Sequence, residues 1–191
     1  MSTKVVLMGA RLAFALIWEP KQFNGVGESA YSAAFILDPK TQQAEINKVV
    51  EAIKTEAAET WGEKAGEILT MLKAKAHLCL QDGATKARHD GFAGNVFVSA
   101  RNKARPEIVG KDKSRLTRAD GKPYAGCYVN TSLEVWAQDN GYGKRINAKL
   151  LAVQFARDGK AFSGGEGYTD NDFGVVDDGD TSATASADSF F

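Results

Sequence analysis

Apolar and polar positions divide the chain into three kinds of segment. Residues 4–18 and 29–37 are rich in Val, Leu, Ile, Phe and Ala and have the length of strands. Between them, EPKQFNGVGES carries Pro20, Asn24-Gly25 and Gly27, turn residues that predict a long hairpin. Residues 39–76 change period. Asp38-Pro39 fits an N-cap followed by proline in the first turn. Ile46, Val49, Val50, Ile53 and Ala57 then follow at helical spacing, and Ala65, Ile68, Leu69, Leu72 and Ala76 repeat it. Thr60 and Glu63 fit a capping box that opens the second of two amphipathic helices.

Residues 77–94 read as loop, with Asp82-Gly83, Asp90-Gly91 and Gly94. Residues 95–104 and 105–110 read as a strand and a second strand or bend. Residues 111–125 are too rich in Lys, Arg, Gly and Pro for a core element. Residues 126–138 and 145–157 form the clearest strand pair, joined by a turn through Asp139-Asn140-Gly141. About five strands in hairpins, with a helical pair inserted after the second, suit a small Greek-key barrel such as an OB-fold, or a β-sandwich. The reading adopted is a mainly β, five-stranded OB-fold-like antiparallel barrel over 1–163, with the helical insertion at about 39–76.

From about Asp158 Leu and Ile vanish, and Gly, Ser, Thr, Ala and Asp dominate. Such a stretch buries too little apolar surface to offset its ordering entropy, so 164–191 is expected to be a disordered acidic C-terminal tail. Charge sharpens the division. The chain has 24 Lys plus Arg and 24 Asp plus Glu, but residues 161–191 hold seven acids and no base, leaving 1–160 at +7. Residues 86–122 alone hold ten bases against four acids. Such asymmetry points to nucleic-acid or membrane contact, or to an acidic tail. No run of about 18 apolar residues predicts a membrane span, and no signal peptide is read. Cys79 and Cys127 are expected as free thiols in a reducing cytoplasm.

Catalytic patterns are weak. Gly164-Gly165-Glu166-Gly167 lacks the Lys-Ser/Thr of a phosphate loop. His77, Cys79, His89 and Cys127 do not have a usual zinc spacing. Neither an enzyme nor a cofactor is expected, although a small metal-dependent enzyme with His77, Cys79 and Cys127 as ligands stays open. Binding of single-stranded nucleic acid needs cations for phosphates and aromatic faces for bases, and these are present. In strand register Phe97, Arg101 and Lys103 share one face, while Val96, Val98 and Ala100 share the other and read as core. Arg105 follows. Lys111, Lys113, Arg115 and Arg118 form a cationic loop that ends at Tyr124. Tyr128, Asn130, Ser132, Glu134 and Trp136 share the outer face of the next strand, opposite Cys127, Val129, Thr131, Leu133 and Val135. Tyr142, Lys144, Arg145 and Lys149 extend the set. Phe97, Tyr124, Tyr128 and Trp136 are the candidate stackers, and the cations the candidate phosphate contacts. Trp18 and Trp61 are assigned to packing. The tail acids Asp177, Asp178, Asp180 and Asp188 would cover the cationic groove until DNA displaces them, and Phe190-Phe191 would dock on partners.

These residues resemble a family. DGFAGNVFVSARNKARPEIVG, GKPYAGCYVNTSLEVWA and INAKLLAVQFARDGKAFSGG are similar to phage-encoded single-stranded DNA-binding proteins with an OB-fold. The resemblance runs from about residue 3 to 165. It implies cooperative, sequence-tolerant coating of single strands during phage DNA replication or recombination, in the host cytoplasm. It also implies a C-terminal tail that contacts replication enzymes. This chain ends Asp-Ser-Phe-Phe, without proline, and its tail acids are spread thinly. Two other readings stay open: a structural virion β protein, and a recombination protein that anneals strands. The residues leave oligomeric state undecided.

Overall fold

The computed structural model describes residues 1–23 and 25–162. The acidic tail read from the sequence, with Asp177, Asp178, Asp180, Asp188, Phe190 and Phe191, lies outside them. Two long strands, β1 (Thr3–Phe23) and β2 (Val26–Leu37), form the expected hairpin, in which Phe23 pairs with Val26. The turn places Gly25 at φ 69°, a conformation that costs glycine little. β1 is bent. Its first half, Thr3 to Arg11, pairs with β6 (Tyr128–Asn140), and its second half, from Arg11, pairs with β2. Register shifts lie between Leu7 and Ala10 on one side and between Ala13 and Leu16 on the other. Such irregularities turn one strand between two sheets.

The ladder then closes. β2 pairs with β4 (Val96–Asn102), β4 meets β7 (Gly143–Arg157) in parallel at Arg101 and Lys149, and β7 pairs with β6, which returns to β1. This is a closed five-stranded barrel of the OB-fold type. Two three-residue strands extend it: β3 (Leu80–Asp82) on β4 and β5 (Glu107–Val109) on β7. β3 falls in a stretch whose Gly and Asp content predicted only loop. The segment before it bridges β7, since Leu78 pairs with Ile146, so it covers the barrel seam next to the brief β4–β7 contact.

The main core fills the barrel interior with the inward residues of β6 and β7, including Val129, Leu133, Val135, Ile146, Leu150 and Val153. Helix α1 (Gln43–Trp61) packs Ile46, Val49, Ala52 and Ile53 into the same core. Glu56, on that buried face, accepts a hydrogen bond from the Thr3 hydroxyl at 2.6 Å, which offsets part of its desolvation.

The helix boundaries differ from those expected. Residues 39–41 form a turn in which the Asp38 carboxylate accepts the Lys40 N–H, and α1 begins only at Gln43. Thr60 lies in the last turn of α1 and caps nothing. The break between helices is Gly62, at φ 55°, and α2 (Ala65–Ala74) follows a single tight turn. A glycine that leaves right-handed space stops the helix, and the Thr60–Glu63 spacing is coincidental.

A second, smaller core lies outside the barrel. Ala13, Ala34, Ile36 and Phe97 point outward from β1, β2 and β4, and Phe92 covers them. Gly83 makes this cover possible, because a Cβ there would stand 1.9 Å from the Phe92 carbonyl oxygen.

Candidate nucleic-acid interface

The outward face of β2 and β4 splits into two zones. At one end Phe97 is fully buried, with its ring 5.1 Å from Phe92 in an edge-to-face arrangement. This corrects the expectation that Phe97 is an exposed stacker. The alternation of β4 does hold, since Val98 and Ala100 enter the main core, but the 83–95 loop folds over the aromatic. At the other end no described residue covers the sheet, and a groove of ≈ 1210 Å³ opens.

The groove floor is built from small side chains, Ala30, Ser32, Ala34 and Ser99, which lets a chain lie close to the sheet. One wall is the β1–β2 hairpin, with Lys21, Gln22 and Glu28. The other is the β6–β7 hairpin, with Trp136, Gln138, Tyr142 and Arg145. The face of the second and third barrel strands, flanked by these two hairpins, is where OB-folds receive oligonucleotides.

Among the described residues six Lys or Arg line this groove, namely Lys21, Lys86, Arg101, Lys103, Arg145 and Lys149, against one carboxylate, Glu28. Arg101 and Lys149 are register partners across the barrel closure, so two cations stand side by side. Like charges opposed in a ladder are destabilising, and a bound anion would relieve them. Lys149 reaches Glu134 at 3.7 Å, Lys103 pairs with Glu28, and the Arg101 guanidinium donates to the Glu28 carbonyl at 3.1 Å. These exposed contacts are weak enough to exchange for phosphate. Trp136 is 37% exposed and Tyr142, at the hairpin tip, 93%. Phe14 and His77 also line the groove.

The β6–β7 hairpin is held to the helices. The Trp61 indole N–H donates to the Asp139 carboxylate at 2.8 Å, and Lys144 pairs with the same carboxylate. The Lys144 hydrogen bond, followed by that of Trp61, lowers the Asp139 pKa below the usual carboxylate value. Lys144 is thus a brace for the hairpin and is not among the groove-lining residues.

Of the residues singled out from the sequence, the structure brings Arg101, Lys103, Trp136, Tyr142, Arg145 and Lys149 into one groove. It places the others elsewhere. Tyr128 shares the outer face of β6 with Trp136, but eight residues of strand separate them by roughly 26 Å. Its ring lies under Arg157, at 3.6 Å, with Arg11 at 5.7 Å. The Tyr124 hydroxyl donates to Asp158 at 2.8 Å and accepts the Gly159 N–H at 3.2 Å, pinning the end of the barrel chain. Arg105 stands over Trp18, Lys111 over Phe155, Arg115 beside Glu107 and Arg118 beside Glu19, while Lys113 is exposed. None of these loop cations lines the groove. Lys21 and Lys86 escaped the sequence reading because Lys21 falls in the stretch read as the first turn and Lys86 in the stretch read as loop. Phe14 escaped it because a bulge breaks the alternation of β1.

The four candidate metal ligands are dispersed in role. Cys79 and Cys127 are buried free thiols, and burial pushes the Cys79 pKa up to about 12. His89 packs edge-on against Phe14. Among the described residues no three His, Cys, Asp or Glu side chains converge as a metal site, and no helix is long and apolar enough to cross a membrane.

A closed barrel whose open face carries cations and exposed aromatics defines a class, the OB-fold nucleic-acid binders. Comparison with known proteins gives the family. Residues 3–184 match the family described as Enterobacter phage Enc34, ssDNA-binding protein, and the chain belongs to that family. It is 42% identical over 164 residues to putative protein p50 of Acyrthosiphon pisum secondary endosymbiont phage 1, covering 85% of this chain and 88% of that protein. Among solved structures, the single-stranded DNA-binding protein of bacteriophage Enc34 in complex with ssDNA superposes with a TM-score of 0.73 at 25% identity. The match covers 84% of this chain and 89% of that one. The single-stranded DNA-binding protein encoded by bacteriophage T7 shares the fold, with a TM-score of 0.51 at 12% identity over 82% of this chain and 91% of that one.

Proposed function

We propose that this protein binds single-stranded DNA in the groove on β2 and β4 and coats it during phage DNA replication or recombination. The observation that carries the reading is the groove itself, in which, among the described residues, six cations face one carboxylate and Trp136 and Tyr142 are exposed beside a floor of small residues. Cations engage phosphates, and ring faces stack on any base, so such contacts hold a strand with little regard to sequence. Arg101, Lys103, Arg145 and Lys149 are the phosphate contacts, and Trp136 and Tyr142 the stacking contacts. Family membership and the fold shared with an ssDNA complex support the same reading.

The tail acts as an electrostatic competitor. Its seven acids match in number the excess positive charge of residues 1–160, and DNA would displace it, freeing Phe190 and Phe191 to dock on replication proteins. Anisotropy of a labelled oligo(dT), at two salt concentrations, tests both parts with the full chain and a chain ending near Gly164. Tight, salt-sensitive binding that strengthens on truncation supports groove and tail together. Salt-sensitive binding unchanged by truncation removes the tail's competing role. No binding by either folded protein at low salt refutes the groove.

A further inference from the structure

Phe14 is the least explained side chain in the barrel. It sits at φ 48°, left-handed space that bulky residues rarely enter, at the bulge between Ala13 and Leu16. The bulge turns Phe14 outward, so Leu12 and Ala13 are buried while Phe14 is 42% exposed. Strain of this kind persists where surroundings impose it, and it clusters at ligand sites. Burial does not account for it, since nearly half the ring faces solvent.

The surroundings are ordered around the ring. Phe92, rooted in the second core, lies 5.4 Å away and tilted by 32°, while His89 meets the ring edge-on at 5.1 Å. The Lys86 ammonium stands 5.2 Å from the ring centre. Phe14 and Lys86 both line the groove that holds Arg101 and Lys149. Two aromatic side chains thus fix the ring, and the cation beside it sits on a flexible stem that can leave it for a phosphate.

We propose that Phe14 is a nucleobase-stacking site at the covered end of the groove, with Lys86 engaging the adjoining phosphate. The inference rests on the ssDNA reading and extends it. The strand would run from Trp136 and Tyr142, past Arg101, to a terminal stack on Phe14. The 83–95 loop then has two uses: it seals Phe97 beneath Phe92, and it presents Lys86 and His89 beside the exposed ring.

The test is anisotropy binding of oligo(dT), and of the same oligonucleotide carrying abasic residues, by the full chain and by its F14L and F14Y variants. Leu keeps apolar bulk without an aromatic face, whereas Tyr keeps the face. Melting curves confirm that each variant is folded. The expected result is a loss of about 5- to 150-fold for F14L with oligo(dT) and near wild-type affinity for F14Y. The abasic oligonucleotide should cost the wild type more than F14L. Wild-type affinity for F14L, while the wild type itself binds, would overturn the Phe14 site alone. Failure of the wild type to bind would overturn the ssDNA reading beneath it. Phe14→Gly is the second variant. Glycine is free to adopt φ 48°, so F14G should keep its melting temperature yet bind as weakly as F14L. Tight binding by a stably folded F14G would also refute the site.

Discussion

Phe97 and Arg101 occupy the same face of the same strand, with Ser99 between them, and meet opposite fates. Phe97 is sealed under Phe92, while Arg101 stands open in the groove beside Lys149. Alternation along β4 decides which side of the sheet each residue takes. It says nothing of what lies above that side. The cover is supplied by a loop in which Phe92 is the one large apolar side chain. The outward face of an OB-type barrel is therefore two surfaces, a small second core and a binding floor, and the boundary falls at Ser99.

The two surfaces should differ most at Phe97. Truncation to Ala should cost about 3–5 kcal/mol of stability, as for other buried aromatics, and Phe92→Ala should cost a similar amount. Urea unfolding checks both. A fully stable F97A that had lost DNA binding would restore Phe97 to the interface and erase the boundary. Trp136 sharpens the other side. Trp136→Ala should remain folded and lose about 1–3 kcal/mol of binding free energy, read by anisotropy on oligo(dT). A smaller effect is expected at Asp139, which braces the hairpin that carries Trp136. Hydrogen bonds from Lys144 and Trp61 lower its pKa, so the folded protein holds the carboxylate charged more firmly than the unfolded chain does. That contribution is present above the unfolded carboxylate value and fades as pH falls through the lowered folded one. The Trp61 indole N–H resonance should hold steady on acidification to about pH 4 and shift only below it. A shift near neutral pH would place the brace elsewhere.

The barrel strands were legible because their patterns are strong. The Val, Leu and Ile alternation of 126–138 and 145–157 marks β6 and β7, and Asn24-Gly25 marks the first hairpin. The face division of β4 and β6 was legible for the same reason, and so was the placing of Arg101 and Lys103 on one face, whereas Arg145 and Lys149 were read from their place at and after the last turn. Three features were not. β3 is three residues long and exists because β4 offers it an edge, so its sequence carries no strand signal. Tyr128 shares periodicity with Trp136, but periodicity fixes a face and leaves position along a 13-residue strand unweighed. Phe14 lies at a bulge, where the period of two that sequence reasoning relies on is interrupted. The loop cations 111–118 mislead in another way. Charge density along the sequence drew attention to them, yet Arg115 and Arg118 face Glu107 and Glu19, while the groove collects its cations one or two at a time from four separate segments.

The proposed function places phosphate in the groove and not on the basic loop. The direct test is the salt dependence of oligo(dT) binding for two multiple variants, R101A/R145A/K149A and K111A/K113A/R115A/R118A. Removing one phosphate-binding cation should flatten the log–log salt slope by about 0.7. The groove variant should therefore flatten it by about 2, and the loop variant should leave it close to that of the wild type. A loop variant that flattens the slope while the groove variant retains it would contradict the account.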